Sequence, residues 1–240
     1  MIKKLMGVLP AVALVVLPLS GPAAAAPADL APTGDPVGVT KHLAAPPAAS
    51  DVPLFQALAW LEEAPEGPRL GYDRRAFPHW NKGVNAGDGC DTRKEVILSE
   101  AKEAPEIGPK CALTGGRWWS EYDQVWITSA SSLDVDHMVP LAEAWDSGAA
   151  AWTKDRREAY ANDQGAADSL IAVSGSSNRS KADKDPADWL PVPADHCKYA
   201  GDWIKDKLRW DLTADPAEIH ALTGLAEACP DTRISYEKAA

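Results

Sequence analysis

Basic residues, phenylalanine and closely spaced cysteines are all scarce in this chain. Lysine and arginine total 24 against 35 aspartates and glutamates, a formal charge of −11. Proteins that grip nucleic acid over a broad surface do so by replacing counterions with cationic side chains. That class is excluded, whereas a site holding its substrate locally through a few cations is not. No cysteine has a C-x-x-C neighbour, so the usual zinc spacings are missing. There is no glycine-rich phosphate loop and no Gly-x-Ser-x-Gly elbow, which argues against nucleotide-loop and serine-hydrolase architectures. Beyond the N-terminus no apolar run approaches the ~20 residues of a membrane span, and no repeats occur.

What is present begins with an export signal. Lys3 and Lys4, the apolar run Leu5 to Leu19 and the small residues Gly21 to Ala26 read as a signal peptide over residues 1–26. Residues 27–50 are rich in Ala, Pro and Thr and have few side chains that could offset ordering entropy, so they read as a flexible arm. Residues 51–240 then form one domain of ordinary size. The expected protein is secreted, extracellular and monomeric. Without Lys3 and Lys4, 22 basic residues face 35 acidic ones, a formal charge of −13.

An oxidising compartment makes two disulfides the simplest use of Cys90, Cys111, Cys197 and Cys229. Three pairings are formally available, and sequence order favours Cys90 with Cys111 and Cys197 with Cys229.

Hydrophobic spacing predicts helices over 53–63, 93–102, 141–160 (one or two, broken at Gly148), 176–184, 203–208 and 216–228. Trp118-Trp119 and Gln124 to Thr128 predict a hairpin, and Leu133 to His137 and Leu170 to Val173 predict strands. Asp185-Pro186 is expected to stop the helix before it. Ten tryptophans against two phenylalanines is an unusual balance. Trp145, Trp152, Trp189, Trp203 and Trp210 lie among Ala and Leu at amphipathic positions and read as core.

The chemistry concentrates in Leu133-Asp-Val-Asp-His-Met-Val-Pro-Leu141 and Asn178-Arg-Ser-Lys181. Phosphodiester hydrolysis needs an activated water and a cation to neutralise charge on the phosphate oxygens. A near-neutral histidine serves the first need, and a divalent ion on hard oxygen ligands serves the second. Asp136 offers an anionic ligand, Asn178 a neutral one and His137 a base. Adjacent strand residues face opposite ways, so Asp136 and His137 can address one centre only at a strand end, which Pro140 supplies.

These stretches resemble the HNH, or His-Me finger, endonucleases. They are most similar to the secreted branch related to the C-terminal domain of GmrSD restriction enzymes, as are Gly89-Cys-Asp-Thr-Arg93 and Trp189-Leu-Pro191. The resemblance runs from about Gly71 to Cys229. It implies an α+β, mainly helical domain around a ββα-metal core at about 123–186, stapled by two disulfides. It further implies His137 as general base, Asp136 and Asn178 as metal ligands, and one divalent ion. Mg2+ is expected first, with Mn2+, Ca2+ and Zn2+ as the alternatives. The implied substrate is DNA, with RNA as a second.

One departure stands out. Where the family commonly places an asparagine that orients the imidazole, this chain has Ser169, with Asp168 beside it and Asn162 upstream. The partner of His137 is expected to be a backbone carbonyl or Asn162. Arg93 and Arg179 are candidate phosphate clamps, and Lys181 is a further substrate-side cation. Two rival readings remain: a non-catalytic envelope-binding protein on the same scaffold, and a serine hydrolase using Ser174-Gly-Ser-Ser177 with His137.

Overall fold

Alternation of apolar and polar residues in Arg-Ile-Ser-Tyr-Glu near the C-terminus makes a strand with Ile234 and Tyr236 buried and their neighbours exposed. Its partner lies nearly the whole domain away. The computed structural model describes residues 44–240, so the signal peptide and most of the arm lie outside the described residues. In chain order the elements are β1 (Ala48–Pro53), α1 (Leu54–Leu58), α2 (Thr92–Ser99), β2 (Glu106–Gly108), β3 (Ala112–Thr114), β4 (Trp118–Ser120), β5 (Val125–Ile127), β6 (Leu133–His137), α3 (Leu141–Asp146), α4 (Lys154–Ala161), β7 (Leu170–Ser174), α5 (Gly175–Lys181), α6 (His196–Trp210), α7 (Pro216–Ala228) and β8 (Arg233–Glu237).

The strands form four separate two-stranded antiparallel sheets among the described residues: β1 with β8, β2 with β3, β4 with β5 and β6 with β7. The domain is mixed α/β, as expected. Ala48 to Ser50, assigned to the arm by composition, belong to β1. Their small side chains suffice because β8 supplies the ladder, which begins at Ala48 opposite Glu237. Composition registers burial, and an edge pairing needs little of it.

The β6–β7 sheet divides the interior. Leu133, Val135, Leu170 and Ala172 face a small cluster with Val96, Ile97 and Trp118. Ile171 and Val173 join the main core, which includes Trp203, Ile204, Tyr199 and Leu222. Trp203 and Trp210 are buried, while Trp145, Trp152 and Trp189 pack against the core from its edge. Gly148, at φ +118°, separates α3 from the turn leading to α4. Buried Lys207 joins Glu143 on α3 and Glu218 on α7 at 3.0 and 2.6 Å, so three helices share one charged junction. Cys90 bonds Cys111 and Cys197 bonds Cys229, the pairing in sequence order. The first closes the segment before the hairpin β4–β5, and the second ties the start of α6 to the end of α7.

Candidate active site

Beta pairing carries β6 to its final residue, with Asp136 opposite Ile171 and His137 opposite Leu170. One further bond, from Met138 N–H to the Ser169 carbonyl at 3.0 Å, ends the ladder before Pro140. Strand parity sends the two functional side chains to opposite faces. Because they stand at the strand's end, both still border one pocket of about 250 Å³, together with Arg74, Asn178, Arg179, Ala182 and Asp183. Helix α5 follows β7 directly, its N-terminus capped by the Ser174 hydroxyl accepting from Ser177 N–H. This β6–β7–α5 order brings Asn178 to the pocket.

The His137 ring lies between Trp80, whose ring is stacked at 5.4 Å, and Tyr160 at 6.4 Å. Its Nε2 is 3.0 Å from the Ala161 carbonyl. A carbonyl can only accept, so Nε2 carries the proton and Nδ1 keeps its lone pair. Burial pulls the His137 pKa down to about 3. The Ala161 carbonyl opposes that shift, and the positive charge of Arg74 adds to it. The imidazole is therefore neutral at physiological pH.

The residues expected to orient His137 do other work. Asn162 accepts from Asn81 N–H at 3.0 Å and donates to the Pro78 carbonyl at 2.8 Å, fastening the segment that carries Trp80. The Ser169 hydroxyl donates to Asp206 at 2.7 Å, and its carbonyl is taken by Met138. Asp168 pairs with Lys205. Neither Asn162 nor Ser169 hydrogen-bonds the imidazole; the carbonyl of Ala161, next to Asn162, does.

Lys181 also departs from expectation. It is fully buried, with its ammonium 2.7 Å from Asp136 Oδ2 and 3.0 Å from the His137 carbonyl. It sits three residues after Asn178 and so shares that face of α5, which packs on β6. Lys181 thus holds Asp136 rather than substrate. Tyr122 donates to the same Oδ2 at 2.7 Å. Burial raises the Asp136 pKa, and pairing with Lys181 opposes it. Arg93 donates to the Leu133 carbonyl at 2.7 Å, bracing the start of β6. Exposed Arg179 lies 3.3 Å from Asp134 at the pocket rim.

The donor set fits a hard divalent cation. Among the described residues both hydrogen bonds to Asp136 fall on Oδ2, leaving Oδ1 without one, and the Asn178 carboxamide oxygen is likewise free of hydrogen bonds. One carboxylate oxygen and one amide oxygen suit an ion that keeps water and substrate oxygens as its remaining ligands. The three-carboxylate groupings elsewhere, Glu66 with Asp185 and Asp215 and Glu66 with Glu143 and Asp146, include neither residue.

Arg74, Trp80 and Tyr122 were not foreseen in these roles. For Arg74 and Trp80 the sequence signal is the aromatic, basic run Tyr72 to Trp80, which carries no helical or strand period, and Tyr122 has no such signal.

With this geometry in place, sequence comparison assigns the chain to a family. The family model described as GmrSD restriction endonucleases, C-terminal domain, matches residues 104–225, and the chain belongs to that family, which points to a nuclease-type enzyme. A relative in Arthroderma benhamiae, named uncharacterized secreted protein, is 40% identical over 173 residues, 72% of this chain and 82% of that protein. No solved structure matches. The relative's name and the two disulfides agree with an extracellular setting. No described helix is long and apolar enough to cross a membrane.

Proposed function

We propose that the protein is a secreted endonuclease that hydrolyses phosphodiester bonds of DNA, and of RNA as a second substrate, with a divalent metal ion in the Asp136–His137–Asn178 pocket. The observation that carries this reading is the state of His137: a neutral imidazole, its Nε2 proton fixed on the Ala161 carbonyl, beside a free carboxylate oxygen in one pocket. Nδ1 of His137 takes the proton of the attacking water, and Ala161 and the flanking rings of Trp80 and Tyr160 keep the imidazole in that tautomer and orientation. Asp136 Oδ1 and the Asn178 carboxamide would hold the metal, Mg2+ first among the candidates. Bound there, it would supply charge neutralisation at the phosphate oxygens. Lys181 and Tyr122 fix the Asp136 carboxylate so that one oxygen is left for this purpose.

The test is incubation of the secreted protein with plasmid DNA and with RNA, in Mg2+, Mn2+, Ca2+ or Zn2+ and in chelator. Cleavage that needs a divalent ion, and that falls on the order of 10² to 10⁴-fold in His137→Ala with the fold retained by circular dichroism, is expected. Absence of cleavage of either polymer under every metal overturns the reading.

A further inference from the structure

Arg74 lies outside the residues matched by the family model and outside the resemblance motifs, yet it borders the same pocket as Asp136, His137 and Asn178. It stands on a 3-10 turn, Arg74–Ala76, whose preceding residue Asp73 looks like its natural partner. That carboxylate is already taken. Asp73 accepts from the backbone N–H of Arg75 at 2.8 Å and from the Arg75 guanidinium at 3.0 and 2.5 Å. The guanidinium of Arg74 makes no hydrogen bond or ion pair among the described residues, in a chain with 35 carboxylates to offer.

The turn is nevertheless held firmly. Arg157 of α4 donates to the Ala76 carbonyl at 2.9 Å, Phe77 is fully buried, and Asn162 fastens Pro78 and Asn81. An unpaired cation on an anchored turn, exposed at a pocket mouth, has kept its donors for a ligand. Its charge is felt at both His137 and Asp136. The other arginines near the site are engaged, Arg179 beside Asp134, Arg93 on the Leu133 carbonyl and Arg69 on Asp146.

We propose that Arg74 is the phosphate-binding residue of this pocket, its planar fork holding two oxygens of a substrate phosphate group beside the imidazole. The assignment rests on the nuclease reading for the identity of the phosphate, which is that of a nucleic-acid backbone.

Two measurements on the full-length exported protein test it. In plasmid cleavage, Arg74→Ala should lower kcat/KM roughly 10- to 100-fold, the loss of a hydrogen-bonded charge. Arg74→Lys should recover part of it, since the charge stays and the fork is lost, and Lys82→Ala, which removes an exposed cation of the same segment, should match the parent. In chelator, where no turnover occurs, anisotropy of a short fluorescein-labelled single-stranded oligonucleotide is followed against salt. Arg74→Ala should bind more weakly, with the slope of log K against log salt reduced by about 0.7, one phosphate contact on a single strand.

If Arg74→Ala cleaves and binds like the parent, or if Lys82→Ala loses as much, the charge acts only diffusely and the proposal falls. If the parent cuts nothing, the nuclease reading fails by itself. The oligonucleotide titration still decides Arg74: a reduced slope in Arg74→Ala alone supports phosphate binding, and an unchanged slope or no binding by the parent overturns it.

Discussion

Lysine is rarely wholly buried unless paired, and Lys181 shows what the pairing does. Its ammonium and the Tyr122 hydroxyl both engage Oδ2 of Asp136, which leaves the carboxylate with one oxygen in a fixed direction. Removing one partner of a buried ion pair strands the other charge. Lys181→Met should therefore cost about 3–5 kcal/mol of stability. Tyr122→Phe, which deletes one hydrogen bond and keeps the ring, should cost about 1 kcal/mol. Urea denaturation of the two variants beside the parent checks the order. A Lys181→Met variant as stable as the parent would show that Asp136 does not depend on the pair. In sequence Lys181 reads as a surface cation, because a polar helix shows charge and not which face it presents. Only the contact between α5 and β6 turns it inward.

At the scale of elements, β6 ends where its apolar run and Pro140 put it, β7 runs one residue past Val173 to Ser174, and α7 matches its predicted bounds. Helix α5 does not. It ends at Lys181, and Ala182 follows at φ +53° and ψ −126°, a region that L residues with a Cβ avoid. Asp185-Pro186 explains why a helix cannot pass that point, but the stop comes earlier, at a residue whose composition gives no warning. Glycine at 182 would release the strain and lose some unfolded-state restriction in exchange. Ala182→Gly is expected to raise stability by about 1 kcal/mol, visible as a higher denaturation midpoint with an unchanged m-value. A lower midpoint would place the strain elsewhere. Strand β8 is the opposite case: Ile234 and Tyr236 alternate with polar residues plainly enough, but a five-residue period-2 pattern names no partner until β1 is seen beside it.

For the whole molecule, buried acid groups outweigh the buried base. Glu100, Asp195, Asp206 and Glu218 are each pushed up to about 7, with burial the first cause in every case. Unfolded, such groups titrate near pH ~4. Between about pH 4 and 7 the folded state therefore holds protons the unfolded state lacks, so stability decreases as pH rises through that window. His137, kept neutral when folded, pulls the other way below its ordinary range, one group against four. The protein should melt at a higher temperature at pH 5.5 than at pH 8. Glu100→Gln, which retains an oxygen to accept from Ala172 N–H, should narrow the difference. An equal or larger gap in that variant would remove Glu100 from the account. Nothing in the sequence marks these four carboxylates among 35; their burial is a property of the assembled fold.

The pairing of β1 with β8 also sets a clock. During synthesis the strand that opens the domain must wait some 180 residues for its partner, as Asp51 to Pro53 meet Arg233 and Ile234. At roughly 5–20 residues per second that is roughly 10 to 40 s in which Val52 and its neighbours have no ladder to join. Cys197 waits a far shorter 32 residues for Cys229, but that bond too can form only when nearly all of the chain has emerged. An architecture whose first strand pairs with its last cannot close early, and a ragged C-terminus would leave that first strand waiting indefinitely.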